Sequence, residues 1–115
     1  MNVFLVEDSP NIRSLIRLCI ENIGGRIAGE ADSQQQAITE VCLLKPDIVI
    51  IDLWLREGSG FMVIQALRAQ LPEVILIVLS GQKSSQMEAI CLKHGADYYF
   101  EKSASCYVQL EQLLK

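Results

Sequence analysis

No stretch of this sequence is apolar for the roughly 20 residues a helix needs to cross a bilayer. Its first residues also lack the basic start of a signal peptide, since Glu7 and Asp8 stand there instead. A cytoplasmic chain without membrane contact is therefore expected. Lys and Arg number 10 against 14 Asp and Glu, and they form no cluster. A net charge of -4 works against direct nucleic-acid binding and against anionic membrane surfaces, because both carry dense negative charge. The four cysteines, Cys19, Cys42, Cys91 and Cys106, form no C-x-x-C pair. Zinc sites and disulfide frameworks want closer spacing, so reduced, core-filling thiols are expected. Linker, low-complexity tract and internal repeat are all missing. With 115 residues, 50% of them hydrophobic and 21% charged, the chain reads as one domain, 1–115, with one core.

What is present alternates. Short apolar runs occur at Val3–Val6, Arg26–Gly29 (the weakest), Ile48–Ile51, Val74–Leu79 and Tyr98–Phe100. The strongest, "IVII" and "VILIVL", are continuous and β-branched, the pattern of strands covered on both faces. Helix signals lie between them. Ser9-Pro10 offers an N-cap and a first-turn proline, apolar residues follow at three- and four-residue spacing from Ile12 to Ile23, and Gly24-Gly25 ends the segment. A second helix starts at Asp32-Ser33 and runs to about Lys45 before Pro46, and a third runs from Gly60 to Gln70 before Pro72. A fourth starts at Ser84 or Ser85 and ends at His94-Gly95, and a fifth starts within Ser103–Ser105. Five β-α repeats argue for an α/β fold, a doubly wound parallel sheet with helices on both faces, in which ligands bind beyond the carboxyl ends of the strands.

Those ends are polar. The first strand ends in Glu7-Asp8, the third in Asp52, the fourth in Ser80 and the fifth in Lys102; only the second lacks an obvious polar group, as suits an edge strand away from a site. Crowded carboxylates take up a proton or recruit a cation. Oxygen ligands favour a hard ion, and hydrated Mg²⁺ (or Mn²⁺) needs only one or two protein carboxylates. Lys102 and Ser80 supply the cation and hydroxyl that phosphate oxygens accept, and a carboxylate beside the metal is a nucleophile for a phosphoryl group. Each residue alone has a plainer role: Asp8 as a helix cap, Asp52 as a turn residue, Lys102 as a solvated lysine. The joint spacing favours the site. His94, in the last turn of a helix, suits the helix dipole.

These five elements in order, across essentially the whole chain, resemble the receiver domains of two-component response regulators. The resemblance implies a flavodoxin-like (βα)5 sheet of order 2-1-3-4-5, with Asp52 as phosphoacceptor. It further implies that Asp8, Asp52 and the backbone carbonyl of Trp54 ligate Mg²⁺, with Glu7 acting through water. Ser80 would bond the phosphoryl group, Lys102 would pair with its charge, and Tyr99 would be the switch aromatic that turns inward when Ser80 shifts. "ADYYF" is also compatible with simple edge-strand packing. The donor would be a sensor histidine kinase or a phosphotransfer protein, and the chain a switch that assists its own phosphorylation and dephosphorylation, not a metabolic enzyme. The readout would be a downstream protein or a second copy, meeting the surface around Tyr99 and helix 105–114. In that helix the apolar Tyr107, Val108, Leu110, Leu113 and Leu114 exceed one core stripe, which suits either a partner or a wider core contact.

Three positions depart from the commonest family pattern. Ser103 follows Lys102 where a proline with a cis bond is usual. Arg56 stands four residues after Asp52 where proline is frequent, leaving "LREGSG" freer. Trp54 and Gln82 flank the path of attacking water, and bulky Trp54 is expected to lengthen the phosphorylated lifetime, while Gly81 leaves room for a donor. "KSAS" and "GEADSQQQAI" resemble receivers joined to helix-turn-helix domains, and the length suits either a stand-alone receiver or one cut from a DNA-binding regulator. Two rival functions differ in class. One is a phosphorylation-independent module with this fold, which the intact acid, hydroxyl and lysine set disfavours. The other is a flavin-binding protein, for which acidic "EDSPN" would repel the FMN phosphate.

Overall fold

The five apolar runs are strands in the computed structural model, which describes every residue of 1–115 except Lys83. The order is β1 (Asn2–Val6), α1 (Pro10–Asn22), β2 (Arg26–Ala31), α2 (Gln34–Leu44), β3 (Ile48–Asp52), α3 (Gly60–Gln70), β4 (Ile75–Ser80), α4 (Ser85–Lys93), β5 (Tyr98–Glu101) and α5 (Cys106–Leu114). All pairings are parallel, in the order β2-β1-β3-β4-β5. The order reverses at β1 and β3, so the crevice outside their carboxyl ends is the switch point where such sheets bind ligands.

The period of two along each strand divides the core. Phe4, Val6, Val49, Ile51, Leu76 and Val78 pack with α2, α3 and α4 through Val41, Ile64 and Cys91. Val3, Leu5, Ile48, Ile50, Ile77 and Leu79 face the other way, onto Ile16 and Ile20 of α1 and Leu110 of α5. The three central strands are therefore apolar on both faces, as their continuous sequences require. Tyr107, Leu113 and Leu114 also pack against this second cluster. Most of the apolar excess of α5 thus widens its core contact, and only Val108, 54% exposed, points away.

Serines begin the helices. Ser9, Ser33, Ser59 and Ser84 accept from Ile12, Gln36, Phe61 and Met87 N–H groups, satisfying donors that a helix start leaves orphaned. Asp8 is therefore not the cap of α1, which leaves its carboxylate for other work. Ser105 caps α5 by position only, without a side-chain bond. The cysteines are free thiols, with Cys19, Cys91 and Cys106 buried and Cys42 partly so. Among the described residues no helix is long and apolar enough to cross a membrane, and no peptide bond is cis, the Lys102–Ser103 bond included.

Candidate functional site

At the carboxyl ends of β1 and β3, strand geometry delivers side chains that water would otherwise hold. Glu7 is 2% exposed and Asp52 6% exposed, although both are acids. Glu7 follows a β1 core that is fully buried, and its backbone is pinned on both sides: its N–H donates to Ala31 at 3.0 Å and its carbonyl accepts from Arg13 Nη1 at 2.8 Å. The acid thus has no route outward. Its Oε2 accepts the Ser9 N–H at 3.2 Å, while Oε1 is buried with no hydrogen bond.

Lys102 meets these acids from the far side. Its backbone N–H donates to the Ser80 carbonyl at 2.6 Å. Its Nζ lies 2.6 Å from Glu7 Oε1 and 3.2 Å from Asp52 Oδ2. The contact with Glu7 is an ion pair whose angles fall outside hydrogen bonding, so proximity of charge is what Oε1 gains. Burial raises the Glu7 carboxyl to about 7; Lys102 opposes this and the Asp52 charge reinforces it. Burial pulls Lys102 down, but contact with Glu7 and the two carboxylate charges outweigh it and its ammonium is held more firmly than usual. One cation is shared by two buried acids.

Asp8 completes the cluster. Oxygens of Glu7, Asp8 and Asp52 lie within 4.8 Å of one another. Three hard oxygen donors, one of them buried without a hydrogen bond, fit a small divalent cation with retained waters. Ser80, 1% exposed, stands at the end of β4, where its Oγ accepts the Gln82 N–H at 3.3 Å. Tyr99 is half-buried with its ring against the first core cluster, and its hydroxyl donates to the Gln82 carbonyl at 3.2 Å. Packing and reach toward the site thus coexist in this one side chain. Trp54 is 60% exposed, and its N–H donates to Asp52 Oδ1 at 3.2 Å. Glu7, Asp8, Asp52, Trp54, Ser80, Gln82, Tyr99 and Lys102 therefore belong to this rim or to the segments bordering it.

Two expectations need correction. The segment after Asp52, expected to be freer without proline, is tied down. Arg56 N–H donates to Asp8 Oδ2 at 2.8 Å, Ser59 N–H donates to Gln34 Oε1 at 3.0 Å, and Gln34 N–H donates to the Glu57 carbonyl at 3.0 Å. Hydrogen bonds to Asp8 and Gln34, elsewhere in the chain, restrain it. The exit of β2 is not remote either: Asp32 lines a small cleft with Asp8, Arg56 and Glu57. Sequence reasoning also missed Arg13 and Gln34. Arg13 acts on the Glu7 carbonyl and Gln34 on backbone groups more than 20 residues away, and no local motif announces a bond to a carbonyl or an N–H.

A family model described as the response regulator receiver domain matches residues 3–114. The chain is 39% identical over 101 residues to the KDP operon transcriptional regulatory protein KdpE of Escherichia coli, covering 88% of this chain and 44% of that protein. It is 33% identical over 102 residues to the chemotaxis protein CheY of Thermotoga maritima, covering 87% of this chain and 83% of that protein. The chain spans less than half the length of the first relatives it matches, 44%, 48% and 22%. Among solved structures, a LuxR-family two-component response regulator from Aurantimonas sp. SI85-9A1 superposes with a TM-score of 0.91 at 25% identity, covering 98% of this chain and 81% of that one. The BeF3-activated receiver domain of Klebsiella pneumoniae RstA matches in fold, with a TM-score of 0.88 at 24% identity and coverage of 99% and 96%.

Proposed function

The chain belongs to the response regulator receiver domain family, and from that premise we propose that it takes a phosphoryl group onto Asp52 and uses it to switch a binding surface. The observation that carries this reading is the Lys102 ammonium held between Glu7 Oε1 and Asp52 Oδ2, with a third carboxylate, Asp8, in the same cluster. Among the described residues two buried acids share this one cation, and a cluster of three carboxylates leaves negative charge for a further cation to meet.

Asp8, Asp52 and the Trp54 carbonyl are the groups that would hold Mg²⁺ or Mn²⁺, with Glu7 acting through water. The ion, when bound, supplies neutralisation of the phosphoryl oxygens during transfer. An Asp52 carboxylate oxygen attacks phosphorus in line, and the bond from phosphorus to the donor nitrogen or oxygen breaks with its electron pair leaving on the donor. Lys102 then pairs with the new phosphoryl charge in place of part of its present contact with the acids. Ser80 Oγ donates a hydrogen bond to a phosphoryl oxygen, and the movement of the side chain toward that oxygen draws it from the Gln82 N–H that it accepts now. Tyr99 is bonded to the other end of Gln82, so the loss reaches β5 through two hydrogen bonds. An existing equilibrium between two conformations is biased in this way.

The donor is a sensor histidine kinase or a phosphotransfer protein, met in the cytoplasm. The chain assists its own phosphorylation and dephosphorylation but acts as a switch. The responding surface, α4-β5-α5, presents Tyr98 stacked on Phe100 at 6.5 Å and the exposed Val108 of α5 to a downstream protein or a second copy. Intact mass after incubation with Mg²⁺ and acetyl phosphate tests the reading. One phosphoryl adduct is expected on the wild type and none on Asp52→Asn. An adduct on both proteins would move the acceptor elsewhere, and none on either folded protein would favour a phosphorylation-independent module.

A further inference from the structure

Residues 53–59 form a loop whose two ends are brought together at its base. The Gly60 N–H donates to the Leu53 carbonyl at 3.0 Å, and a Cβ at Gly60 would run into the Asp52 carbonyl. That explains how the loop starts and stops but not what holds its tip. The tip touches two things. Arg56 N–H donates to Asp8 Oδ2 at 2.8 Å. On the other side the tip docks on the start of α2, where Ser33 bridges Glu57 in parallel fashion, Gln34 N–H donates to the Glu57 carbonyl and Gln34 Oε1 accepts the Ser59 N–H. Gly58 lies flat against that glutamine: its φ is +90°, and a Cβ there would come 2.6 Å from Gln34 Oε1.

We infer that Gln34 is a positioning residue for the metal site, acting through the loop to hold the Arg56 N–H on Asp8 and thereby to aim the Asp8 carboxylate. This rests on the receiver reading above and deepens it. A carboxylate that must meet a cation needs one oxygen fixed, so that the other is presented. A backbone N–H fixes it at low cost in entropy, provided the backbone itself is fixed. Proline, frequent at this position in the family, has no N–H to give; here Arg56 supplies one, and from α2 the side chain of Gln34 restrains the loop that carries it. The backbone N–H of Gln34 on the Glu57 carbonyl, which Gln34→Ala keeps, and the side-chain bond to the Ser59 N–H, which it removes, bracket Gly58, so the segment that carries Arg56 N–H is held from its carboxyl side by Gln34 and from its amino side by Asp52, whose Oδ1 accepts the Trp54 N–H. Outer partners of this kind, which orient a ligand without touching the metal, commonly change metal affinity by about tenfold or more when removed.

The test uses Mg²⁺ as the probe and the fluorescence of Trp54, the one tryptophan in the chain, as the readout, for the wild type, Gln34→Ala and Gln34→Glu. Gln34→Ala is expected to bind Mg²⁺ about tenfold more weakly, with a phosphorylation rate that is low at limiting Mg²⁺ and returns to the wild-type rate at saturation. Gln34→Glu keeps an acceptor oxygen for the Ser59 N–H and is expected to restore affinity to within about threefold. A merely structural role would lower thermal stability in chelator without changing Mg²⁺ affinity, and that result overturns the inference. Amide exchange at Arg56 and Ser59 separates it from the reading beneath it. Faster exchange in Gln34→Ala together with no Mg²⁺ binding by the wild type would leave the tether in place, while removing both the receiver reading and the role assigned to Gln34 in it.

Discussion

The two rims of the sheet use charge in opposite ways. At the amino ends of β4 and β5, Arg68 is answered at every donor direction it uses. Its Nε donates to the Gly95 carbonyl at 2.9 Å, Nη1 to the Pro72 and Val74 carbonyls at 2.8 and 2.9 Å, and Nη2 to Asp97 Oδ2 at 2.7 Å. The same Asp97 oxygen accepts the Leu76 N–H at 2.9 Å. At the carboxyl ends, among the described residues, three carboxylates cluster around one ammonium, which pairs with Glu7 and Asp52, and Glu7 Oε1 is buried without a hydrogen bond. A satisfied network closes a structure, because every group has found its lowest-energy partner. A site left short of a cation stores an affinity for whatever supplies it. The difference separates a joint from a site without reference to either sequence motif.

Breaking the joint should have the largest effect on stability and none on chemistry. Arg68→Ala strands three carbonyls and one carboxylate at a partly solvated edge, and should lower unfolding free energy by about 2–3 kcal/mol. Urea unfolding in chelator would measure it, and the yield of phosphoryl adduct at saturating Mg²⁺ should be unchanged. A variant that stays stable but loses the adduct would contradict the division between rims.

Relieving the site should do the reverse, and only at the right pH. The Glu7 carboxyl is raised to about 7 in the folded protein from an ordinary 4.5. Between those values the folded metal-free chain holds a proton that the unfolded chain has released, so stability falls as pH rises. The contribution is complete below about 4.5 and lost as pH passes through about 7, on the order of 3 kcal/mol. Glu7→Gln cannot make that loss. In chelator it should match the wild type near pH 4.5 and exceed it by about that amount near pH 7.5. Parallel pH profiles for the two proteins would show that burial of Glu7 is not the cost it is taken to be.

Much of this was legible before the fold. Continuous β-branched runs, serine caps and acids at strand ends have local causes, so Ile48–Asp52 and Ser80 could be placed from neighbours in sequence. The bounds of α3 follow from Gly60 and Pro72 for the same reason, while its cap, Ser59, was not marked. The tether from Gln34 to Ser59 spans 25 residues and the bond from Arg56 to Asp8 spans 48. Nothing in "SQQQ" or "LREGSG" marks one glutamine of three as the acceptor, because that choice depends on how α2 sits against the loop. Arg68 escaped notice likewise, since its partners are mainly carbonyls, which every residue has. The excess apolar surface of α5 was visible as composition, but its direction was not. Packing onto Ile16 and Ile20 decides that Leu113 and Leu114 face the core.

Smaller effects sharpen the same contrast at the open rim. Trp54 is exposed beside Asp52, so its bulk stands near the path of a water attacking aspartyl phosphate while contributing little to the core. Trp54→Asn should shorten the phosphorylated lifetime about three- to tenfold, at most about 1.4 kcal/mol of barrier, with no measurable loss of fold. Decay of the phosphoryl adduct after removal of acetyl phosphate reads it directly, and an unchanged lifetime would end the steric account.

The smallest effect is expected at Gly81, and it is informative because of Gly95. At Gly95 the backbone has φ +127°, and a Cβ would come 2.8 Å from the Cβ and Cγ of Arg68, so a side chain is opposed by both conformation and packing. At Gly81 φ lies outside the left-handed region and a Cβ would meet nothing within 4 Å. Gly81→Ala should therefore leave stability within about 0.5 kcal/mol of wild type, measured by urea unfolding in chelator. With folding held constant in this way, any fall in the rate of phosphoryl transfer from a protein donor, absent with acetyl phosphate, would measure the space that glycine leaves for the donor. Equal rates with both donors would show that the rim is open enough without it.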